Sequence, residues 1–149
     1  MMLMDSDLPR ITLDGRDNGA ARLPLVRSKL HGHRGIAAYD PAQVEFVELD
    51  PAYYDYPVSC GTEAQAQAIR DAFRRSQALR TPSDRRRIVF TVLPGHGAVL
   101  GEKWVPGKAP FEVLWQAMDS GALMVSPEVP QGRYVYRPSG GGLFALAEE

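Results

Sequence analysis

The sequence lacks most of the features that would identify a function at once. It has one cysteine, Cys60, among 149 residues, which excludes an intramolecular disulfide and gives no sign of an oxidising compartment. No apolar run reaches the ~18 residues of a membrane-spanning helix, and Asp5 and Asp7 near the start disfavour a secretion signal. We therefore expect a cytoplasmic or otherwise intracellular protein, or one carried in a virion, with no membrane partner.

An excess of charge is also absent. The net charge is −1 at pH 7 and the isoelectric point is about 6.3, so no overall field attracts nucleic acid or a membrane surface. Lysine is scarce, with 3 residues against 14 arginines, which we attribute to a GC-rich bacterial or phage genome. Paired catalytic carboxylates, phosphate-binding loops, dinucleotide fingerprints and zinc fingers are missing from the sequence. The sequence therefore predicts no cofactor.

One segment, residues 62–93, carries local signals that all agree. Thr62 begins a capping box, which predicts the start of a helix. Apolar residues then recur at helical spacing, and a Thr-Pro pair ends the pattern, so the predicted helix covers residues 62–80. The β-branched run over residues 87–93 predicts a strand that is buried on both faces. We expect this helix and this strand to pack together.

The rest of the chain predicts a mixed sheet with two main helices packed on it. A second helix is expected from Pro110 to a glycine cap at Gly121. The fold is thus predicted to be a single α+β domain over residues 21–149, preceded by an N-terminal arm or edge hairpin over residues 1–20. Further strands are predicted at residues 21–30, 44–49, 98–105, 122–126, 133–137 and 143–147, the last three as a meander. The predicted core consists of Ile69, Phe73, Ile88, Phe90, Val92, Leu114, Trp115 and Met118.

A parallel crossover would bring two reactive side chains to one edge of the sheet. Strand 44–49, the first helix and strand 87–93 are expected to form such a unit, whose connection is usually right-handed. Open α/β sheets bind ligands at the carboxyl ends of their strands, where Cys60 and His96 would both lie. A thiol before a helix N-terminus is favoured as the thiolate, and a histidine can act as its base. One hypothesis is therefore a small enzyme for acyl or related group transfer that uses Cys60 and His96.

The three histidines are candidates for a metal site by spacing alone. His31 and His33 form an H-x-H pair, and His96 follows the strand over residues 87–93. All three would share one edge if the strand ending at Leu30 ran in the same direction. Two distant elements must meet for this, however, and no acidic ligand or Cys-x-x-Cys pattern accompanies the histidines. The sequence by itself therefore predicts no metal site.

Charge is segregated along the chain. Residues 40–55 contain five acidic and no basic residues, whereas residues 70–87 contain seven arginines and two aspartates. Arginines four residues apart on one helix face repel each other unless an anion or an acidic partner compensates them. The predicted binding residues are Tyr53, Tyr54 and Tyr56 of a long loop, together with Arg70, Arg74, Arg75, Arg85, Arg86 and Arg87.

These features favour an interaction protein over an enzyme. We expect a non-catalytic protein-interaction or assembly module of bacterial or phage origin, acting through its arm, its Tyr-rich loop and its arginine-lined helix face. The expected partner is another protein or further copies of the chain, the acidic block of one copy meeting the arginines of the next. Nucleic acid is a less favoured partner, and a solvated face with internal salt bridges would need none. The enzyme that uses Cys60 and His96 is the alternative.

Overall fold

The structure, a computed structural model, describes residues 2–3, 26–55, 62–130 and 133–147. The mixed α+β fold with two main helices that the sequence predicts is confirmed. None of the helices in these ranges has the length and apolar character that crossing a membrane requires. The strands are β1 (Met2–Leu3), β2 (Val26–Gly32), β3 (Ile36–Tyr39), β4 (Val44–Phe46), β5 (Ile88–Leu93), β6 (Gly97–Lys103), β7 (Leu123–Val125), β8 (Val135–Pro138) and β9 (Phe144–Ala147), and the helices are α1 (Ala52–Asp55), α2 (Glu63–Arg74), α3 (Gln77–Arg80) and α4 (Glu112–Ser120).

The strands form two sheets. The first has the order β1-β2-β6-β5-β4 and the second the order β7-β3-β9-β8. Strand β4 is parallel to β5, and β6 is antiparallel to both β5 and β2. Strands β2, β4 and β5 therefore run in one direction, and their carboxyl ends lie at the same edge of the first sheet. This common direction of β2 and β5 is the condition under which His31, His33 and His96 share one edge of the sheet.

The first sheet is the middle layer of the fold. On one face, Val89 and Leu93 of β5 pack with Ile69 and Phe73 of α2. On the other face, the alternate residues of β5 pack against α4 and the second sheet. All six residues of β5 are buried, as the apolar run predicts for a strand covered on both sides.

The long first helix is shorter than the sequence predicts. It does begin after Thr62, whose hydroxyl oxygen accepts a hydrogen bond from the Gln65 amide at 3.1 Å. It ends at Arg74, however, and Ser76 caps the separate short helix α3 by accepting from the Leu79 amide at 3.0 Å. The prediction of one helix over residues 62–80 is wrong because Ser76 offers the backbone a new cap.

The predicted meander over the last three strands is also wrong. Strands β8 and β9 form an antiparallel hairpin, but β7 pairs with β3, which lies between β7 and β9. The buried ring of Tyr39 in β3 contacts Phe90 of the first sheet and Phe144 of β9, so this central strand of the second sheet also packs on the first sheet. Short strands of similar pattern do not reveal which of them become neighbours.

The predicted core is correct except at Trp115 and Met118 of helix α4. Trp115 is 45% exposed, whereas Leu114 is fully buried and Met118 half-buried. Helix α4 begins after Phe111, which has a left-handed backbone conformation with φ of 67°. Phe111 is therefore not part of the helical face, and the face that packs inwards carries Leu114 and Ala117.

The N-terminal arm is described only at its start. Strand β1 pairs with β2 as the edge of the first sheet, with Met2 opposite His31. The rest of the predicted arm or edge hairpin, residues 4–20, lies outside the described residues.

Candidate metal centre

Three histidines meet at the carboxyl edge of the first sheet. His31 lies near the end of β2, His33 directly follows that strand, and His96 lies in the turn between β5 and β6. One ring nitrogen from each histidine lies within 4.8 Å of those of the other two. In the part of the chain that the structure describes, no carboxylate or thiol joins this group. We call these residues the histidine trio.

The two innermost rings make a defined hydrogen bond. The Nδ1 atom of His31 is 3.0 Å from the carbonyl oxygen of Ala98, which can only accept, so Nδ1 must carry a proton. The Nε2 atom of a neutral His31 then has a free lone pair, and it lies 2.6 Å from Nε2 of His96. His96 must donate the proton between them. A backbone carbonyl thus fixes the tautomer of His31 and aims its free nitrogen into the trio.

His33 completes the trio from the solvent side. Its ring centre is 5.8 Å from that of His31 and 5.0 Å from that of His96. His31 is buried, His96 is intermediate and His33 is exposed. The trio therefore has a closed inner end and an open outer end, through which an ion or a small ligand can reach the ring nitrogens.

Burial keeps the inner rings in the form that a metal needs. Desolvation lowers the pKa of His31 below its usual value, against the opposing effect of the Ala98 carbonyl. Desolvation also lowers the pKa of His96, and the nearby rings of the other two histidines lower it further. Both side chains are thus favoured as neutral imidazole, which is the metal-binding form.

Two glycines let the strands carrying the histidines come together. A Cβ atom on Gly97 would lie 1.7 Å from the carbonyl oxygen of Gly32, so only glycine fits where β6 begins beside β2. Gly95 has φ of 72° in the turn that carries His96. Gly95 also donates to the carbonyl oxygen of Pro130 at 2.8 Å, which fixes the turn against the second half of the chain.

The dimensions of the trio are close to those of a tetrahedral metal site. Zinc binds histidine nitrogen at about 2.0–2.1 Å, so two such ligands on one tetrahedral ion are about 3.3 Å apart. The nitrogen distances in the trio extend from 2.6 Å to no more than 4.8 Å, on either side of that value. Replacing the proton between His31 and His96 by a metal ion would require these two rings to separate by less than an ångström.

The tyrosine and cysteine candidates do not join the trio within the described residues. Tyr53 is half-buried and packs against the core beside α2, but it lies in the short helix α1 rather than in a long loop as the sequence predicts. Tyr54 belongs to α1, but its side chain is outside the described part of the structure. Tyr56 and Cys60 lie entirely outside the described residues, so the proposed pair of Cys60 and His96 stays a prediction.

The arginines of α2 contact their own chain. Arg70 donates to the Gln67 side chain at 2.8 Å, and Arg74 pairs with the carboxylate of Asp71 at 3.6 Å. Arg75, directly after α2, donates to the Glu48 carbonyl oxygen at 2.6 Å. The basic and acidic segments thus touch within one molecule.

The three consecutive arginines before β5 divide into two groups. Arg86 forms an ion pair with Asp84 at 2.8 Å and lies 3.8 Å from Glu45. Arg85 and Arg87 are exposed, and neither guanidinium bonds to any residue that the structure describes.

The sequence shows the three histidines, but it does not show the backbone groups that position their rings. The H-x-H spacing was visible, whereas the Ala98 carbonyl and the close approach at Gly97 depend on which strand lies beside β2. A glycine on each side of His96 was the available signal, and turn geometry explained it equally well.

Comparison of the chain with protein-family models, with curated proteins and with solved structures found no match. Function therefore has to be inferred from the geometry of the molecule alone.

Proposed function

We propose that this protein binds a divalent transition metal of the zinc class through His31, His33 and His96. The observation that carries the proposal is the convergence of three ring nitrogens within 4.8 Å, one of them held in a fixed tautomer by a backbone carbonyl. Three side chains from two separate segments meet there, and the innermost is buried. Burial and mutual repulsion disfavour protonation of the inner rings, so the trio is suited to a cation that binds neutral imidazole.

The ligand type limits the choice of metal. Imidazole nitrogen suits zinc, copper, nickel and iron, whereas magnesium and calcium require oxygen ligands. Three protein ligands leave a fourth tetrahedral position for an external ligand, an arrangement found in catalytic rather than structural zinc sites. The exposed side of His33 is where that external ligand would enter. The proposal is therefore a metal centre that is open to small molecules.

Isothermal titration calorimetry with Zn²⁺ at pH 7.5 tests the proposal, using protein from which any polyhistidine tag has been removed. We expect one ion per chain. Substitution of His33 or His96 by alanine should weaken binding by at least tenfold, because loss of even a partner of a ligand costs that much. Arg34→Ala, in the same turn as His33 and exposed, is the matched control and should leave the affinity unchanged.

The Cys60→Ser variant distinguishes metal binding at the histidine trio from metal binding at the Cys60 thiolate. If binding disappears in Cys60→Ser but survives His33→Ala and His96→Ala, the histidine trio is not the metal centre. A stoichiometry below one ion per two chains in the wild type would contradict the proposal as well.

The interaction function expected from the sequence stays a prediction. Arg70 contacts a side-chain amide, Arg74 a carboxylate and Arg75 a backbone carbonyl oxygen, so contacts within the chain account for part of the charge argument for an outside partner at α2. Arg85 and Arg87 are exposed to solvent before the amino end of β5, and a binding role for these two residues stays a prediction.

A further inference from the structure

Arg85 and Arg87 stand on a ridge between two clefts. Arg86, between them, faces Asp84 and Glu45 instead. Both clefts are lined by Arg85 and Arg87. The two guanidinium groups are therefore the shared wall of two adjoining spaces.

The larger space, which we call the α4 cleft, has a volume of about 550 Å³. Ligand pockets commonly measure about 300–1,000 Å³ and combine apolar walls with a few polar groups. Ile88 and Ala117 supply buried apolar surface, while Gln43 and Gln116 supply side-chain amides. The α4 cleft thus offers both a surface for a flat ring and hydrogen-bonding groups for its edge.

The smaller space, which we call the Trp104 cleft, has a volume of about 280 Å³. Trp104 lines it and is 42% exposed, which is unusual for so large an apolar side chain. Lys103 also lines it, with its ammonium group donating to the carbonyl oxygens of Thr81 and Asp84. Lys103 thereby holds the loop that precedes Arg85.

The local charge around the ridge is positive although the whole chain is nearly neutral. Arg86 forms an ion pair with Asp84 and lies 3.8 Å from Glu45. Its hydrogen bond to the Asp84 carboxyl group lowers the pKa of that group to about 2. No acidic side chain in the described part of the structure compensates Arg85 or Arg87. An anion that reaches the ridge therefore meets two guanidinium groups with free donors.

We infer that the two clefts bind a dinucleotide unit of single-stranded nucleic acid, with its phosphodiester on Arg85 and Arg87 and one base in each cleft. The base in the Trp104 cleft stacks on the indole ring, and the other base lies in the α4 cleft against Ile88 and Ala117, where the amides contact its edge. Basic side chains interleaved with an exposed aromatic ring are the usual components of single-strand binding.

The arrangement fits this ligand better than its alternatives. A bare phosphate would use the arginines but not the indole ring or the apolar floor of the α4 cleft. A duplex would keep its bases stacked in the helix and unable to enter either cleft. The ridge lies at the opposite end of β5 from His96, so it can be tested separately from the metal centre.

Fluorescence of Trp104 gives the first test. The chain has two tryptophans, so the Trp115→Phe variant leaves Trp104 as the only reporter. The probes are dT12 and rU12 in buffer containing EDTA, which removes metal binding from the measurement. We expect saturable quenching by at least one of these oligonucleotides. Absence of quenching by both, together with unchanged anisotropy of the fluorescently labelled oligonucleotides, would overturn the inference.

Competition against labelled oligonucleotide defines the ligand. The dinucleotide dTpdT should compete at least tenfold better than the mononucleotide dTMP, since only the dinucleotide places a base in each cleft. Inorganic phosphate should compete no better than chloride at equal ionic strength. If dTMP or phosphate competes as well as dTpdT, the site is a general anion site and the inference fails.

Paired substitutions test the ridge itself. The Arg85→Gln/Arg87→Gln double variant should weaken dT12 or rU12 binding at least tenfold. It should also abolish a salt dependence whose slope in log affinity against log salt is about −0.7, as expected when one phosphate of a single strand is neutralised. The control is Arg34→Gln/Arg80→Gln, which removes the same charge from two exposed arginines elsewhere. Equal weakening in both double variants would show that only overall charge matters and would reject the assigned site.

Discussion

The ring of His31 has two nitrogens with different partners, and this difference decides what the side chain can do. The Ala98 carbonyl takes the Nδ1 proton at 3.0 Å, and the Nε2 lone pair faces His96 at 2.6 Å. The tautomer is thus fixed before any ion arrives, which lowers the cost of organising a metal site. Gly97 acts at the same scale, since any side chain there would strike the Gly32 carbonyl.

The hydroxyl groups of Tyr134 and Tyr136 should have opposite effects on the stability of the fold, although both side chains are half-buried. The Tyr136 hydroxyl donates to the Ile36 carbonyl oxygen at 2.6 Å. The Tyr134 hydroxyl is buried without a hydrogen-bond partner among the residues that the structure describes. Burial raises the pKa of both phenols, that of Tyr134 to about 12. Both hydroxyls are therefore neutral at physiological pH.

The same substitution at these two positions should change stability in opposite directions. Tyr136→Phe removes a made hydrogen bond and should lower the free energy of unfolding by about 1–2 kcal/mol. Tyr134→Phe removes a buried polar group without a partner and should raise it by up to about 1 kcal/mol. Urea unfolding followed by circular dichroism measures both values. Equal destabilisation by the two variants would show that the Tyr134 hydroxyl has a partner in solution.

At the scale of elements, two glutamates begin helices that lie far from them in sequence. Glu102 of β6 is 1% exposed and accepts from the Phe111 and Leu114 amides, each at 3.0 Å. Glu45 of β4 accepts from the Gln77 and Ala78 amides. Carboxylates are favoured at helix N-termini by the free amides and the helix dipole. Helices α3 and α4 therefore depend on the first sheet for their caps.

Removal of the Glu102 carboxylate should uncap α4. Glu102→Ala removes the acceptor of the Leu114 amide and of the Ser28 hydroxyl. The Phe111 amide also loses its bond to Glu102 and keeps only the Ser28 hydroxyl oxygen, at 3.2 Å, as an acceptor. We expect the free energy of unfolding to fall by about 3 kcal/mol, as for a lost charged hydrogen-bond acceptor. The exposed control Glu128→Ala should change it by less than about 0.5 kcal/mol. A small effect of Glu102→Ala in urea unfolding would mean that α4 does not need this cap.

At the scale of the whole molecule, the first sheet places two proposed sites at opposite ends of one strand. The histidine trio follows the carboxyl end of β5, and the Arg85 and Arg87 ridge precedes its amino end. The acidic and basic segments meet inside the fold, for example where Glu45 lies near Arg86. The charge pattern that suggested head-to-tail assembly is thus accounted for in part by contacts within a single chain.

A metal that joins β2 to the turn after β5 should stabilise the entire fold. Zinc at about 100 times its dissociation constant should raise the free energy of unfolding by about 2.7 kcal/mol. For a chain of this size the melting temperature should rise by roughly 5–10 °C. Differential scanning calorimetry measures the shift at a fixed zinc concentration, and His33→Ala, which changes an exposed side chain, should reduce it to about half or less without altering the melting temperature of the metal-free protein. A shift of undiminished size in His33→Ala would place the ion elsewhere.

The sequence by itself determined the elements whose signals are local. The start of α2 at Thr62, the doubly buried β5 and the glycine cap at Gly121 follow from neighbouring residues, and the structure has all three. The six correctly predicted core residues follow from the periodicity of apolar side chains. These features depend on interactions within a few positions, which a sequence pattern records directly.

Only the tertiary structure decided what depends on distant partners. Glu45 and Ser76 interrupt the long helix, β3 lies between β7 and β9, and the Ala98 carbonyl sets the tautomer of His31. In each case the energy comes from groups far apart in the chain, and no local pattern contains their pairing. The histidines were visible as residues, but their meeting depended on β2 and β5 running in the same direction, and that follows from β6 lying antiparallel between them.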